Sequence, residues 1–287
     1  MNGIICIDKP EGFTSFDVVA VVRKATHEKH IGHAGTLDPF ATGVLPLLLG
    51  RCAKFQDYLT VGRKKYRATV KTGVTSDTLD RTGELSETGK VFDSSRLEEV
   101  LSSFLGEQLQ VPPAYSAIQV DGRRLYDLAR EGKSLDVPPR KVEIYSIKLI
   151  ELQQDIFTFE VECSKGTYIR ALARDIGEKL GCGACLWELR RLEGSGFTEA
   201  DCISLEEAKC NFAQHLLPVD KALTQFESVT VSNRKGRMLL NGAGNKSDLP
   251  NGTYKMYDNA HGFLGLFDSV NGIMKVRTMY VIKEEQN

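Results

Sequence analysis

The sequence predicts an α+β fold, and three observations lead there. Upstream of Leu217, strand-like and helix-like patterns mix without a regular βαβ rhythm. The strongest helical pattern, Ile169, Leu172, Ala173, Ile176 and Leu180 ended by Gly181, follows two apparent antiparallel strands, Val142 to Leu149 and Ile156 to Val161. Past Leu217-Pro218-Val219-Asp220, short strand candidates near Val229, Tyr254, Phe263 and Ile273 are separated by Asn-Gly and Asp-Asn turns, so a small β-rich unit is expected there.

Taken in order, Ile4 to Ile7 is an apolar run ending at Asp8-Lys9-Pro10, which suits a strand and a turn. Thr14 to Asp17 has capping-box spacing, and Phe16, Val19 and Ala20 continue at helical spacing. From Ile31 to Thr42, Gly and Pro indicate a loop. Val44 to Leu49 is continuously apolar around Pro46 and reads as a buried helix or a buried strand. Tyr66 to Thr72 alternates as a strand. Leu97, Val100, Leu101, Phe104 and Leu105 follow helical spacing after Ser94 and Ser95, and stop near Gly106.

The 287 residues are 41% hydrophobic and 26% charged, ordinary for a globular chain with a sizeable core. The 37 basic and 38 acidic residues leave a net charge of −1, so composition alone gives no support for nucleic-acid binding. Any such case must rest on local clustering. The seven cysteines have no regular spacing. MNGIICIDKPEG does not read as a signal peptide, and no apolar run approaches the roughly 18 residues of a membrane span. A reduced, cytoplasmic protein with no membrane partner is expected, and Asn251-Gly252-Thr253 is then a turn.

Three segments stand out chemically. In HAGTLDPFATGVLPLLLG, Asp38 precedes a proline in a Gly-rich loop beside an apolar run. By type alone it is a turn residue. A carboxylate against an apolar wall, kept ionised by a cation, is also a workable nucleophile or base. In CSKGTYIRALAR, Tyr168 and Arg170 lie where a helix begins. The helix dipole does not favour a cation there, so Arg170 calls for an anionic partner if it is not simply a solvated surface residue. In RKKYR, four basic residues surround Tyr66, as phosphate contact plus base stacking would require. The competing reading is a lysine-protected sheet edge. Cys182 and Cys185 form one CxxC pair with no second pair, and His27, His30 and His33 would need a helix through Ile31-Gly32. No metal site and no cofactor is expected.

Together these segments resemble the TruB family of tRNA pseudouridine-55 synthases. HAGTLDPFATGVLPLLLG resembles its catalytic motif, KKYR its second motif and CSKGTYIRALARDIGEKLGCGA its third. IDKPEGFTSFDVV, PPAYSAIQVDGRRLYDLAREG and LRRLEGSGF also look like family segments, in the family's order. GTLDP stands where some members have GALDP, a departure at Thr36 that leaves the chemistry untouched.

The resemblance implies a pseudouridine synthase fold, a mixed β-sheet flanked by helices, over residues 1–225. Within it, 112–132 would be part of an insertion gripping RNA. A small PUA-like RNA-binding domain would fill 226–287. It implies Asp38 as catalytic carboxylate, Tyr66 stacked on the target base and Arg170 paired with Asp38. Tyr168 would shape the pocket, His33 would fill the place the flipped base leaves, and Asp80 would contact base or ribose. Lys9, Lys64 and Arg67 are carried over as further substrate contacts.

The implied partner is the T stem-loop of tRNA, met by a monomer. The implied reaction is isomerisation of uridine-55 by base flipping. Whether Asp38 attacks C1′, attacks C6 or abstracts a 2′ proton stays open. Two other readings are a non-catalytic RNA-binding or tRNA-folding module and the catalytic subunit of a guide-RNA ribonucleoprotein.

Overall fold

The structure, a computed structural model, describes residues 1–116, 119–120, 123–124, 137–242 and 245–281. The expected insertion at 112–132 falls largely outside them.

Two sheets organise the chain. The larger has nine strands: β1 (Gly3–Lys9), β2 (Ile31–His33), β3 (Thr42–Leu49), β4 (Lys64–Thr72), β7 (Gly106–Gln110), β10 (Arg140–Gln153), β11 (Ile156–Cys163), β12 (Ala184–Gly194) and β13 (Phe197–Thr198). Two short hairpins, β5 (Val74–Ser76) with β6 (Leu85–Glu87) and β8 (Gln119–Val120) with β9 (Arg123–Arg124), stand apart. The order across the large sheet is β1-β3-β12-β4-β11-β10-β7, with β2 on β3 and β13 on β12. All its pairings are antiparallel except β3 with β12. The smaller sheet holds β14 (Glu227–Thr230), β15 (Asn245–Lys246), β16 (Gly252–Asp258), β17 (Gly262–Val270) and β18 (Ile273–Met279).

Val44 to Leu49 is therefore a strand, and its unbroken apolarity has a physical cause. Both faces of β1 and β3 are buried, so alternate residues serve different cores. Ile5, Ile7, Leu45, Leu47 and Leu49 join the main core beneath the helices. Ile4, Cys6, Val44 and Leu48 face the other way and meet Phe55, Phe263 and Leu266. The small sheet thus closes over the back of the large one. Tyr58 and Thr278 share a hydroxyl hydrogen bond of 2.7 Å across this contact.

On the opposite face the helix Ser15–Thr26 begins with the expected capping box at Thr14 and Asp17 and buries Val18, Val19 and Val22. The helix Ile169–Leu180 buries Ile169, Leu172, Ala173, Ile176 and Leu180 against the same core and ends at Gly181 in the left-handed region, φ 77°. Each fully buried aliphatic side chain contributes about 1.5–3 kcal/mol.

The edge-strand reading of RKKYR is corrected here. β4 lies inside the sheet between β12 and β11. Its outward cations answer carboxylates on β11: Lys65 and Arg67 pair with Glu160 at 2.9 and 2.7 Å, and Arg63 pairs with Glu162 at 3.2 Å. The short helix Asn233–Leu240 was not expected from the sequence.

Candidate active site

Asp38 sits on the loop from β2 to β3, and that loop is pinned on several sides. Leu37 N–H donates to Ser15 Oγ at 2.9 Å, and the Ser15 hydroxyl donates back to the Leu37 carbonyl at 3.3 Å. Gly12 N–H reaches the Pro39 carbonyl at 2.9 Å. Lys9, carried over as a substrate contact, is fully buried instead. Its ammonium donates to the carbonyls of Pro10, Phe13 and Pro39 at 2.9, 2.5 and 3.1 Å. That accounts for all three donors. Lys9 holds the loop next to Asp38 rather than standing open to a ligand.

Arg170 reaches Asp38 from the first turn of the helix Ile169–Leu180, across 132 residues of sequence. Its Nη2 donates to Asp38 Oδ1 at 3.1 Å. Its Nε lies 2.9 Å from Asp38 Oδ2 but off the N–H axis, an ionic contact rather than a hydrogen bond. The guanidinium also donates to the carbonyls of Thr78 (3.1 Å) and Tyr115 (3.0 Å). On its far side Nη1 lies 3.4 Å from Asp80 Oδ2.

Asp80 is fixed in turn. Its Oδ1 accepts from the hydroxyls of Thr78 and Thr82 and from Thr82 N–H, at 2.9, 2.5 and 2.9 Å. Leu79 between them has φ +64°, a conformation that costs a bulky residue about 1–3 kcal/mol. β12 holds it there, because Leu186 N–H donates to the Leu79 carbonyl and Arg81 N–H to the Leu186 carbonyl.

Exposure rises along this chain of charges. The side chains of Asp80, Arg170 and Asp38 are 4%, 7% and 34% exposed. Asp38 is thus the member a substrate can reach. Burial pushes its carboxyl above the usual carboxylate range. Arg170 pulls it back, and the nearby Asp80 carboxylate adds to the push. A guanidinium cannot give up its proton, so Arg170 is a fixed cation against which the Asp38 carboxylate is held.

Tyr66 and Lys64 lie two apart on β4 and share a face, whereas Arg67 points to the other side and to Glu160. Tyr66 is buried, which raises its phenol pKa. His33 is half-buried, with its Nδ1 unpartnered and its ring edge-on to Phe16 at 5.5 Å. Burial, then the charge of Arg191, keeps it neutral to lower pH than an ordinary histidine. Tyr168 is the N-cap residue of the helix and has no side-chain cap of its own. Gln110 on β7 replaces one, accepting from Tyr168 N–H at 2.8 Å and donating to its carbonyl at 3.1 Å.

The structure therefore brings Asp38, Arg170 and Asp80 together and sets Tyr66, Lys64 and His33 around the same loop. It directs Lys9 and Arg67 elsewhere. Sequence reasoning did not single out Gln110, Leu79 or Arg191. The first two carry no local signal. Nor did Arg191 stand out, because its strand ACLWELRRLEG also carries Glu188, Arg190 and Glu193.

Comparison with known proteins follows the same lines. Residues 23–169 match the family model described as TruB family pseudouridylate synthase (N terminal domain), and 170–224 match the one described as tRNA pseudouridylate synthase B C-terminal domain. The chain is 44% identical over 274 residues to a tRNA pseudouridine synthase B of Clostridium novyi, covering 93% of this chain and 95% of the relative. It is 44% identical to that of Alkaliphilus oremlandii, over 84% of this chain and 82% of the relative. Among solved structures, an H/ACA RNP bound to a substrate RNA containing 2′-deoxyuridine aligns with TM-score 0.76 at 22% identity, covering 98% of this chain and 86% of that one. A Cbf5-Nop10-Gar1 complex aligns with TM-score 0.76 at 23% identity, over 98% and 85%. At such identity the likeness concerns the fold.

Proposed function

The chain belongs to the TruB family of pseudouridylate synthases, and from that premise we propose that it converts uridine-55 in the T loop of tRNA to pseudouridine, with Asp38 as catalytic carboxylate. The relatives named for tRNA support the substrate class. The observation that carries the residue assignment is the graded exposure from Asp80 through Arg170 to Asp38, which leaves one anchored carboxylate open to a ligand.

The reaction breaks the N1–C1′ bond, turns the uracil, joins C5 to C1′, releases the C5 proton and leaves N1 protonated. It needs no redox partner. The target base must leave its loop, at about a few kcal/mol. Asp38 works as an anion on the flipped nucleotide, and Arg170 fixes its direction. Tyr66 stacks on the base. Tyr168 shapes the pocket wall, His33 lies against the emptied loop, and Lys64 meets the backbone. Asp80 acts through Arg170. Residues 1–225 form the catalytic domain and 226–287 a PUA-like RNA-binding domain. The enzyme acts as a monomer on the T stem-loop, in the cytoplasm. No helix among the described residues is long and apolar enough to cross a membrane.

The test is tritium release from C5-labelled uridine in a T-arm stem-loop. Wild type is expected to release tritium, and Asp38→Asn to release none while binding the stem-loop within about threefold of wild type (~0.65 kcal/mol). Loss of release and binding together would overturn the catalytic role of Asp38. Binding without release by wild type would overturn the enzymatic reading.

A further inference from the structure

Arg191 is among the largest fully buried side chains described, only 1% exposed. Its neighbour Arg190 is half-buried and takes the two local carboxylates, Asp8 at 3.0 Å and Glu199 at 2.5 Å. Arg191 turns inward and, among the described residues, makes no ion pair. Its guanidinium is satisfied by main-chain carbonyls: Nε donates to Val44 at 2.7 Å, Nη2 to Gly35 at 3.0 Å, and Nη1 lies 3.5 Å from that of Thr36. Gly35 and Thr36 are on the limb that enters the Asp38 loop, and Val44 is on the limb that leaves it. Tyr66 stands opposite Arg191 across the β12–β4 pairing, and the Arg191 charge acts on its phenol.

The backbone is arranged to permit this. Arg191 pairs with Gly43 on one side and with Tyr66 on the other. A Cβ at Gly43 would come within 2.2 Å of the Arg191 carbonyl oxygen, and Gly43 has φ +101°, so only glycine lets β12 approach so closely. Immediately after Arg191 the register with β4 shifts, Arg191 opposing Tyr66 and Glu193 opposing Lys65. Such a bulge re-aims side chains. Burying a cation without a counter-charge is expensive, and an apolar residue of similar volume would fill the space at lower cost. The guanidinium offers what an apolar side chain lacks, a planar fork that bonds two limbs at once.

We propose that Arg191 is a positioning residue of the catalytic centre: it straps the entering and leaving limbs of the Asp38 loop to each other and to Tyr66. This rests on the pseudouridine synthase reading of the site. Arg191 touches no substrate and acts through the loop and the phenol.

The test compares Arg191→Lys and Arg191→Met with wild type. Lysine keeps the charge but cannot bridge Gly35 and Val44, and methionine removes both. Both variants are expected to bind the stem-loop within about threefold of wild type (~0.65 kcal/mol). Their single-turnover rate is expected to fall at least about tenfold, since small misplacements of reacting groups act on that scale or above. Amide exchange should rise within residues 35–44 and stay unchanged in β10 and β11. The imidazole titration of His33, followed by NMR, should move to higher pH in the methionine variant and stay in place in the lysine variant.

A wild-type rate in Arg191→Lys would overturn the proposal. So would exchange rising across the whole sheet, or neither variant folding, because each would mean a general structural role. If wild type itself formed no pseudouridine, the functional reading would fall. The exchange measurement would then still decide whether Arg191 straps the loop.

Discussion

The two sides of the Asp38 loop bury an arginine each and satisfy it in opposite ways. On the helix side, Arg170 meets two carboxylates and two carbonyls, and its charge is answered. On the strand side, Arg191 meets carbonyls and a phenol, and its charge is left to dipoles. Arg170 therefore bears on the ionisation of Asp38, whereas Arg191, whose charge reaches His33 instead, bonds the two limbs of the loop. The difference shows why burial alone does not identify a catalytic group. What matters is whether the partner is a titrating side chain or the main chain.

The sharpest way to break the comparison is Arg170→Lys. A point charge cannot address Asp38, Asp80, Thr78 and Tyr115 at once. Turnover should fall by about 10²–10³, comparable to losing one preorganised charge-stabilising donor. Near-normal single-turnover rates in that variant would sink the pairing as a catalytic device.

Asp80→Asn tests the tuning itself. Only ionised Asp38 is active, so kcat/KM falls as pH drops through its pKa. The wild-type acid limb is expected above the ordinary carboxylate value of 3.8, because burial and then Asp80 raise it against the pull of Arg170. Removing the Asp80 charge should shift the limb to lower pH, while Arg191→Lys leaves it in place. An unmoved limb in Asp80→Asn would mean the two carboxylates are not coupled.

The smallest effect is expected from Gln110→Ala. It removes the surrogate cap at Tyr168 and should lower stability by about 1 kcal/mol in a denaturant titration. Turnover should drop only a few-fold, because Arg170 keeps its other partners. A loss as large as that of Arg170→Lys would mean that the helix end, rather than the guanidinium, sets the geometry.

Much of this was legible in the sequence, where the signal is local. The capping box at Thr14, the amphipathic helix from Ile169 and its glycine stop all appear as read. Strands β10 and β11 also pair as expected. What failed was whatever depends on distant neighbours. For RKKYR the competing edge-strand reading stayed open because Glu160 and Glu162, which answer its charges, lie far along the chain. The helix Asn233–Leu240 is polar and contains a glycine, so no pattern announced it. Gly236 is needed because a Cβ there would stand 2.3 Å from Asp258 Oδ2. At the site, residue types pointed to Asp38 and Arg170. Lys9 was carried over as a substrate contact, and sequence does not reveal three carbonyls converging on one ammonium.

The double-faced burial of β1 and β3 has a consequence for how the protein is made. Ile4 and Val44 leave the ribosome long before Phe263 and Leu266, which share their core. Until then that face of these strands is covered only in part, by Phe55, Leu59 and later Leu223. Contacts so far apart in sequence also slow folding. The nascent chain thus carries an apolar surface through most of its synthesis, and a chain truncated before β17 would keep it permanently. The small sheet completes the cover over the back of the large one.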